Sequence, residues 1–458
     1  MLDNILKDKS QLFKTITIVI SVIIGLVAIL IFSGKFPGVE NTAKKNTNQV
    51  VLEVWGSLPD KTFRDALTAY QTEGNDPVSI TYLSYSKDTL TKKLIEASSQ
   101  GVAPDLVLAP YSELLSVSGL LQIIPYNYMT ELEYKNIFVD GTHILATPFG
   151  ASFYPVLIDP NIMIFNKKIL SENGFSNAPA FWTDFPKYQD KLTTYDSNNK
   201  PEQSAFAIAA NNVLNKDLIL YTQLLQLDSN PARPIWGRGE NNTISLDYNL
   251  NIGLSGANYS DVTSNLYKIL KFQTAFSDPQ KTSFTWSETD KLDIEKFISG
   301  KLAIYFGKAS DIDYIKSSNP NLDLGLYFMP QMQDAKFQSV SGEMLGVAVT
   351  KSAKDVPYAV NMAQIIAGKT FSRQLSLFTG MAGARKDVLY GADGSERSEV
   401  VGRSSLAMKL IYNNNPTAIK NSIYKLYDNV LSGRRTLQEA TEIFGKEWDH
   451  IYGKNKEI

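Results

Sequence analysis

Residues 94–108 read LIEASSQGVAPDLVL, and this stretch decides the fold. Leu94 and Ala97 continue an apolar helical stripe from Leu90, Gly101 closes the helix, and Pro104 blocks its continuation. An apolar run, Leu106-Val107-Leu108, then reads as a strand. The same strand–helix unit recurs upstream. VVLEVW around Val51, VSITYL from Val78 and LVLAP from Leu106 start about 27 residues apart, room for one strand and one crossover helix. Phe63, Ala66, Leu67 and Tyr70 supply the first crossover stripe after Pro59-Asp60, and Ser86 is a candidate N-cap for the second. The expectation is a parallel βαβαβ half-sheet, covered by helices on both faces through right-handed crossovers. Ligands of such sheets sit beyond the carboxyl ends of the strands.

A chain of 458 residues is too long for one core, so two large lobes are expected. Its hydrophobic content of 43% and charged content of 20% are those of an ordinary folded protein. A net charge of −2 gives no electrostatic reason to expect a nucleic-acid partner. The absence of cysteine removes disulfides, thiolate metal sites and cysteine nucleophiles together. Only His143 and His450 are present, far apart in sequence, which leaves little for histidine-based metal or triad chemistry. No acidic cluster has calcium-loop spacing, and no cofactor is expected.

Near the N-terminus, residues 15–34 (TITIVISVIIGLVAILIFSG) form an uncharged, mostly apolar run between Lys14 and Lys35. At about 1.5 Å per residue such a helix spans roughly 30 Å, the thickness of a bilayer core. The expectation is an uncleaved transmembrane anchor behind an N-terminal tail, 1–14. A cleaved signal peptide is the competing reading, but the run is long and lacks a small-x-small site before the polar tract. Lys7, Lys9 and Lys14 lie on one side and Lys35, Lys44 and Lys45 on the other, so charge alone leaves the orientation open. Residues 35–49 read as a flexible linker. With no second spanning run, the large domain is expected on one side of the membrane.

Downstream, 149–165 (FGASFYPVLIDPNIMIF) reads as two strand-like runs broken by Pro155 and Pro160, the crossing into a second lobe. Helices are expected over 217–227, 263–276, 291–299, 356–367 and most of 406–451. Strands are expected at 302–307, 324–328 and 345–350. The Gly- and Asn-rich stretch 236–259 reads as an irregular insertion.

These pieces, in this order, resemble the extracellular sugar-binding solute receptors of ABC importers, the group typified by maltose-binding protein. The resemblance covers about residues 50–458. It is carried by Val54-Trp55-Gly56 ending the first strand, by Gly101-Val102-Ala103-Pro104-Asp105-Leu106, and by Ile164-Phe165-Asn166-Lys167 before a helix. Trp182-Thr183-Asp184-Phe185 resembles the family's Trp-x-x-Phe helix start, and 297–304 (FISGKLAI) its F-x-x-G-K-x-A-M run. Residues 379–386 (TGMAGARK) resemble T-G-x-x-P-x-R, with Gly383 where proline is commoner. The resemblance implies an α/β, bilobal, periplasmic-binding-protein-like fold of type II, whose chain crosses between lobes near 155–161, 341–345 and 384–388. Lobe one would comprise 50–157 and 344–385, and lobe two 160–341 and 387–458. A solute would lie in the cleft and hinge rotation would close the lobes on it.

The candidate ligand-binding residues are Trp55, Ser57, Tyr85, Pro110, Tyr154, Asn212, Trp286, Gly307, Glu343 and Arg385. Trp55-Gly56-Ser57, Tyr85 and Pro110 end the first three strands, where the cleft rim should be. Trp55 either stacks on a sugar face or plugs core, and Tyr85 offers a ring and a hydroxyl together. Tyr154, like Phe149, precedes the first crossing and suits either the cleft or burial under a hinge. The Asn212 amide suits sugar hydroxyls, although helix capping explains an asparagine equally well. Trp286, like Trp236, is a candidate aromatic platform. Gly307 and Lys308 end a strand that touches ligand in the resembling family. Glu343 is a carboxylate acceptor beside the second crossing, and Arg385 follows the third or forms a structural ion pair. Motifs for other chemistry fail. Gly368-Lys369-Thr370 has Ala363 where a phosphate loop needs its first glycine, and 253–257 (GLSGA) misses a nucleophile elbow by its last residue.

The function expected is therefore a membrane-anchored extracytoplasmic receptor, not an enzyme, that captures a small solute such as a carbohydrate and passes it to an ABC permease. Its partners would be the solute, the permease subunits and, through 15–34, the lipid bilayer. The alternative from another class is a tethered sensor or scaffold that uses the same bilobal fold without transport. A glycoside-active enzyme would need a pair of carboxylates across the cleft, roughly 5–10 Å apart.

Overall fold

The computed structural model describes residues 51–75, 78–227, 233–238, 244–249, 265–335, 338–389 and 394–453. The expected half-sheet is present. Strand Leu52–Gly56 lies between Ile80–Ser84 and Leu106–Pro110, parallel to both. Helices Asp60–Thr72 and Lys87–Ser99 make the crossovers. Each buries the stripe its periodicity marks: Phe63, Ala66 and Tyr70 in the first, Leu90, Leu94 and Ala97 in the second. Phe63 stacks on Tyr82 with ring centroids 4.0 Å apart, so the first helix is locked to the sheet by an aromatic pair. Gly101 adopts φ +73°, a left-handed conformation that ends the second helix and suits glycine.

The half-sheet continues into one ten-stranded sheet. Beyond Leu106–Pro110 come Gly342–Val349, antiparallel to it, and then the 13-residue strand Tyr154–Asn166. The first half of that long strand pairs with Gly342–Val349, and its second half with Leu302–Lys308 and Leu324–Tyr327. Leu302–Lys308 in turn runs parallel to Pro201–Phe206. Every residue of Tyr154–Asn166 is buried, as a strand covered on both faces must be. The short strand Ala382–Gly383 also pairs with the long strand, opposite Ile158 and Leu157. Three chain segments therefore lie side by side where the two halves of this mixed α/β, bilobal fold join.

Two sequence expectations are corrected. The two runs around Pro155 and Pro160 form a single strand. Proline lacks a ladder donor and is tolerated only where none is needed. Pro155 sits at a register shift, and Pro160 lies where the partner changes from Gly342–Val349 to Leu302–Lys308. The stretch read as an irregular insertion, 236–259, overlaps a regular antiparallel pair, Arg233–Arg238 with Ile244–Asn249. The alternation of Ile244, Leu246 and Tyr248 is the period-two signal that the surrounding Gly and Asn residues mask.

The predicted membrane run, 15–34, lies outside the described residues. Among the described residues no helix is long and apolar enough to cross a membrane.

Candidate functional site

At the carboxyl ends of Leu52–Gly56 and Leu106–Pro110 the half-sheet meets the long strands around a recess of about 360 Å³. Its apolar lining is Leu58, Pro110, Met344, Leu345 and Met381, and its polar lining is Ser57, Lys87, Asp159 and Glu343. The position follows from the topology, because loops leaving parallel strands at one end diverge and leave a crevice.

Register explains how the charged groups converge. Glu343 stands opposite Asp159, and Lys308 opposite Asn161, in adjacent pairings of the same long strand. Residues two apart on a strand share a face, so all four side chains emerge on one side of the sheet. Lys308 Nζ donates to Glu343 Oε2 at 3.2 Å, and Lys87 Nζ approaches the same oxygen at 3.6 Å. Burial pushes the Glu343 carboxyl up, but the ammoniums of Lys308 and Lys87 more than offset this and hold it below the ordinary carboxylate value. Burial opposes the charge on Lys308, yet Glu343, Asp159 and Asp311 together hold it above the ordinary lysine value.

Asp159 is 0% exposed. Its two oxygens accept from the Ser310 amide at 3.0 Å and the Ser310 hydroxyl at 2.6 Å. Burial nevertheless raises its pKa to about 6. The Asn161 carboxamide is equally buried, and neither its nitrogen nor its oxygen has a hydrogen-bond partner. A buried amide without partners costs about 1–3 kcal/mol. Asp217, in the first turn of helix Lys216–Gln226, faces the same field: burial and then Glu343 raise its pKa.

Tyr111 closes one side. It is buried, and its hydroxyl donates to the carbonyl of Ile411 at 2.7 Å, tying helix Tyr111–Ser116 to the segment that precedes helix Pro416–Leu431. Behind it a second recess of about 460 Å³ is lined mostly by apolar groups, among them Leu114, Leu115, Phe153 and Tyr412.

Of the residues singled out in the sequence, Ser57, Pro110 and Glu343 line the main recess. Gly307 adjoins it through Lys308; a Cβ there would run into the Tyr305 ring and the Asp311 carboxylate. Trp55 and Tyr85 do not line the recess: their rings pair with centroids 5.0 Å apart, and Trp55 is buried with its indole donating to Glu53 at 2.6 Å. The other four also lie outside the recess lining. Tyr154 is buried near Tyr134 and Phe138, and its hydroxyl accepts from Gln364 at 3.4 Å. Trp286 is 0% exposed and donates to Asn212 Oδ1 at 2.8 Å. The Asn212 amide group donates to the carbonyls of Ser287 and Asp290, so this pair holds a loop together. Arg385 forms a two-pronged ion pair with Asp387 at 2.9 and 3.1 Å. The side chain of Trp236 lies outside the described residues.

Lys87, Asp159 and Met381 were not singled out in the sequence. A carboxylate inside an otherwise apolar strand run, as in Leu157-Ile158-Asp159-Pro160, is the signal that marks Asp159, since a buried charge needs a reason. Lys87 and Met381 carry no comparable local signal. Among the described residues no group of His, Cys, Asp or Glu could hold a metal ion.

A bilobal α/β chain with a recess at its strand ends has the architecture of a solute-binding protein. A family model described as bacterial extracellular solute-binding protein matches residues 65–399, and the chain belongs to that family, one of binding proteins and not of enzymes. Among curated proteins no sequence match is found. Solved structures are similar in fold. A cyclo/maltodextrin-binding protein complexed with maltotetraose is 17% identical with a TM-score of 0.67, covering 89% of this chain and 98% of that one. The GacH receptor of Streptomyces glaucescens is 12% identical at 0.65, covering 88% and 98%. MalX from Streptococcus pneumoniae, in complex with maltopentaose, is 16% identical at 0.62, covering 87% and 100%.

Proposed function

We propose that this chain is a membrane-anchored extracytoplasmic receptor that captures a carbohydrate by hinge closure and delivers it to an ABC permease. The observation that carries this reading is the recess where both crossing strands meet the carboxyl ends of the parallel strands, with Ser57, Pro110 and Glu343 in its wall. Lobe one is assigned to 50–157 with 344–385, and lobe two to 160–341 with 387–458. The Tyr111–Ile411 hydrogen bond then spans the two lobes. Tyr85 follows the second strand of the half-sheet, where the reading assigns it an aromatic face that could meet a sugar ring. Structural relatives bound to maltotetraose and maltopentaose support a saccharide. The apolar run 15–34 supports the anchor, and the family's extracellular character supports the side.

A thermal-shift screen of the full-length chain against mono- and oligosaccharides, polyols, amino acids and short peptides tests the reading. A solute at 100 times its dissociation constant stabilises the fold by about 2.7 kcal/mol, a visible rise in Tm. A saccharide hit weakened by Tyr85→Ala supports it. A hit with only amino acids or peptides keeps the receptor and removes the carbohydrate. Silence across the panel favours a tethered sensor or scaffold.

A further inference from the structure

Asn161 lies on the long strand where its partner changes, opposite Lys308 and next to Asp159 on the same face. Its side chain is 0% exposed, and neither its nitrogen nor its oxygen has a hydrogen-bond partner. Among the described residues it is the one buried carboxamide with both ends unclaimed. Its neighbours on that face are paired, Asp159 with Ser310 and Lys308 with Glu343. Buried polar groups in folded proteins are nearly always satisfied, so this amide points to a partner that the fold itself does not supply. Two observations direct that partner to the main recess. Asp159 is as buried as Asn161 and yet lines the recess, so burial on this face marks a floor beneath the recess. Asn161 is about 7 Å further along the same strand. Lys308 provides the cover. Its backbone stands opposite Asn161, but its Nζ bonds Glu343, which stands opposite Asp159, so its side chain runs along this face from the amide toward the recess. Displacement of that side chain as the halves part joins the amide to the recess.

We infer that Asn161 is a solute-binding residue whose carboxamide takes two adjacent hydroxyls of the saccharide, donating to one oxygen and accepting from the other. The inference rests on the saccharide reading above and names the residue and the group it recognises. A carboxamide presents a donor and an acceptor side by side, and a vicinal diol presents the complement. An ammonium would satisfy only the oxygen and a carboxylate only the nitrogen. A sugar that lacks one of the two hydroxyls leaves one end of the buried amide unpaired again, and sites of this kind reject such analogues.

Isothermal titration calorimetry on the full-length chain tests this with deoxy sugars. Glucose, galactose, mannose and maltose are titrated first, and the tightest binder is then compared with its monodeoxy forms. The expected result is that at least one deoxy form binds about tenfold more weakly than the parent. That ratio should fall to near one in Asn161→Leu, which keeps the branching of the side chain and removes its polar atoms. General loosening of the site would weaken parent and deoxy sugar alike and leave the ratio unchanged, so the ratio separates a solute contact from a structural role. Asn161→Ala, read by the same ratio, covers the case in which the first variant does not fold. Deoxy penalties that are the same in wild type and variant overturn the inference, leave the saccharide reading intact and assign the amide to an ordered water alone. Equal affinity of the wild type for the parent and every deoxy form overturns it in the same way. Binding of none of the four sugars overturns both readings.

Discussion

One oxygen of Glu343 receives both lysines, and the two contacts differ in worth. Lys87 is largely exposed and 3.6 Å away, a contact of the kind that contributes about 0–1 kcal/mol. Lys308 is 17% exposed, so removing its partner strands a buried ammonium. Losing one member of such a pair costs about 3–5 kcal/mol, and Asp159 nearby places this case at the lower end. Glu343→Leu should therefore destabilise the chain by roughly 3 kcal/mol and Lys87→Ala by less than about 1, measured by denaturant unfolding. Asp159 gives a pH signature. Burial raises its folded pKa to about 6, above the unfolded value. The stabilisation is then complete below about pH 4 and is lost as pH rises through about 6, on the order of 3 kcal/mol in all. Asp159→Asn, which keeps an acceptor for Ser310, should flatten the fall in Tm between those limits. Asp293, held up to about 7 mainly by burial, will leave a residual slope. An unchanged profile would remove Asp159 from the account.

At the scale of elements, Leu302–Lys308 delivers Lys308 to the site, and its penultimate residue sets the delivery. A methyl group at 307 would meet the Tyr305 ring and the Asp311 carboxylate, which also accepts from the Lys308 amide at 2.8 Å. Gly307→Ala should displace the strand end, lower Tm and weaken solute binding together, by calorimetry and thermal unfolding. Sequence periodicity exposed the elements well where one face is buried: the stripes of Phe63-Ala66-Tyr70 and Leu90-Leu94-Ala97 are those the helices pack. It misread Tyr154–Asn166, because prolines that end most strands are harmless at a register shift and a change of partner. The recess was legible only at strand ends, as with Ser57 and Pro110, and beside a crossing, as with Glu343. Trp286 and Asn212 look like ligand-binding types, but they satisfy each other inside the protein. Which polar groups pair internally depends on contacts between residues 74 apart, and local pattern does not carry that information.

For the whole molecule, the hydrogen bond from Tyr111 to Ile411 couples segments 300 residues apart in sequence. Under the proposed lobe assignment it favours the closed form. Tyr111→Phe should enlarge the radius of gyration of the solute-free chain in small-angle scattering, with saturating solute restoring the smaller value. A radius unaffected by either would separate this bond from lobe motion. The long strand Tyr154–Asn166 has a further mechanical meaning. It lies between Gly342–Val349 and Ala382–Gly383, three backbones knitted edge to edge like a leather strap. A strap resists shear and in-plane twist but bends readily across its thickness. Under the proposed lobe assignment such a joint would favour bending over other motions, so two spectroscopic rulers placed at different points between the halves should change in step when solute is added.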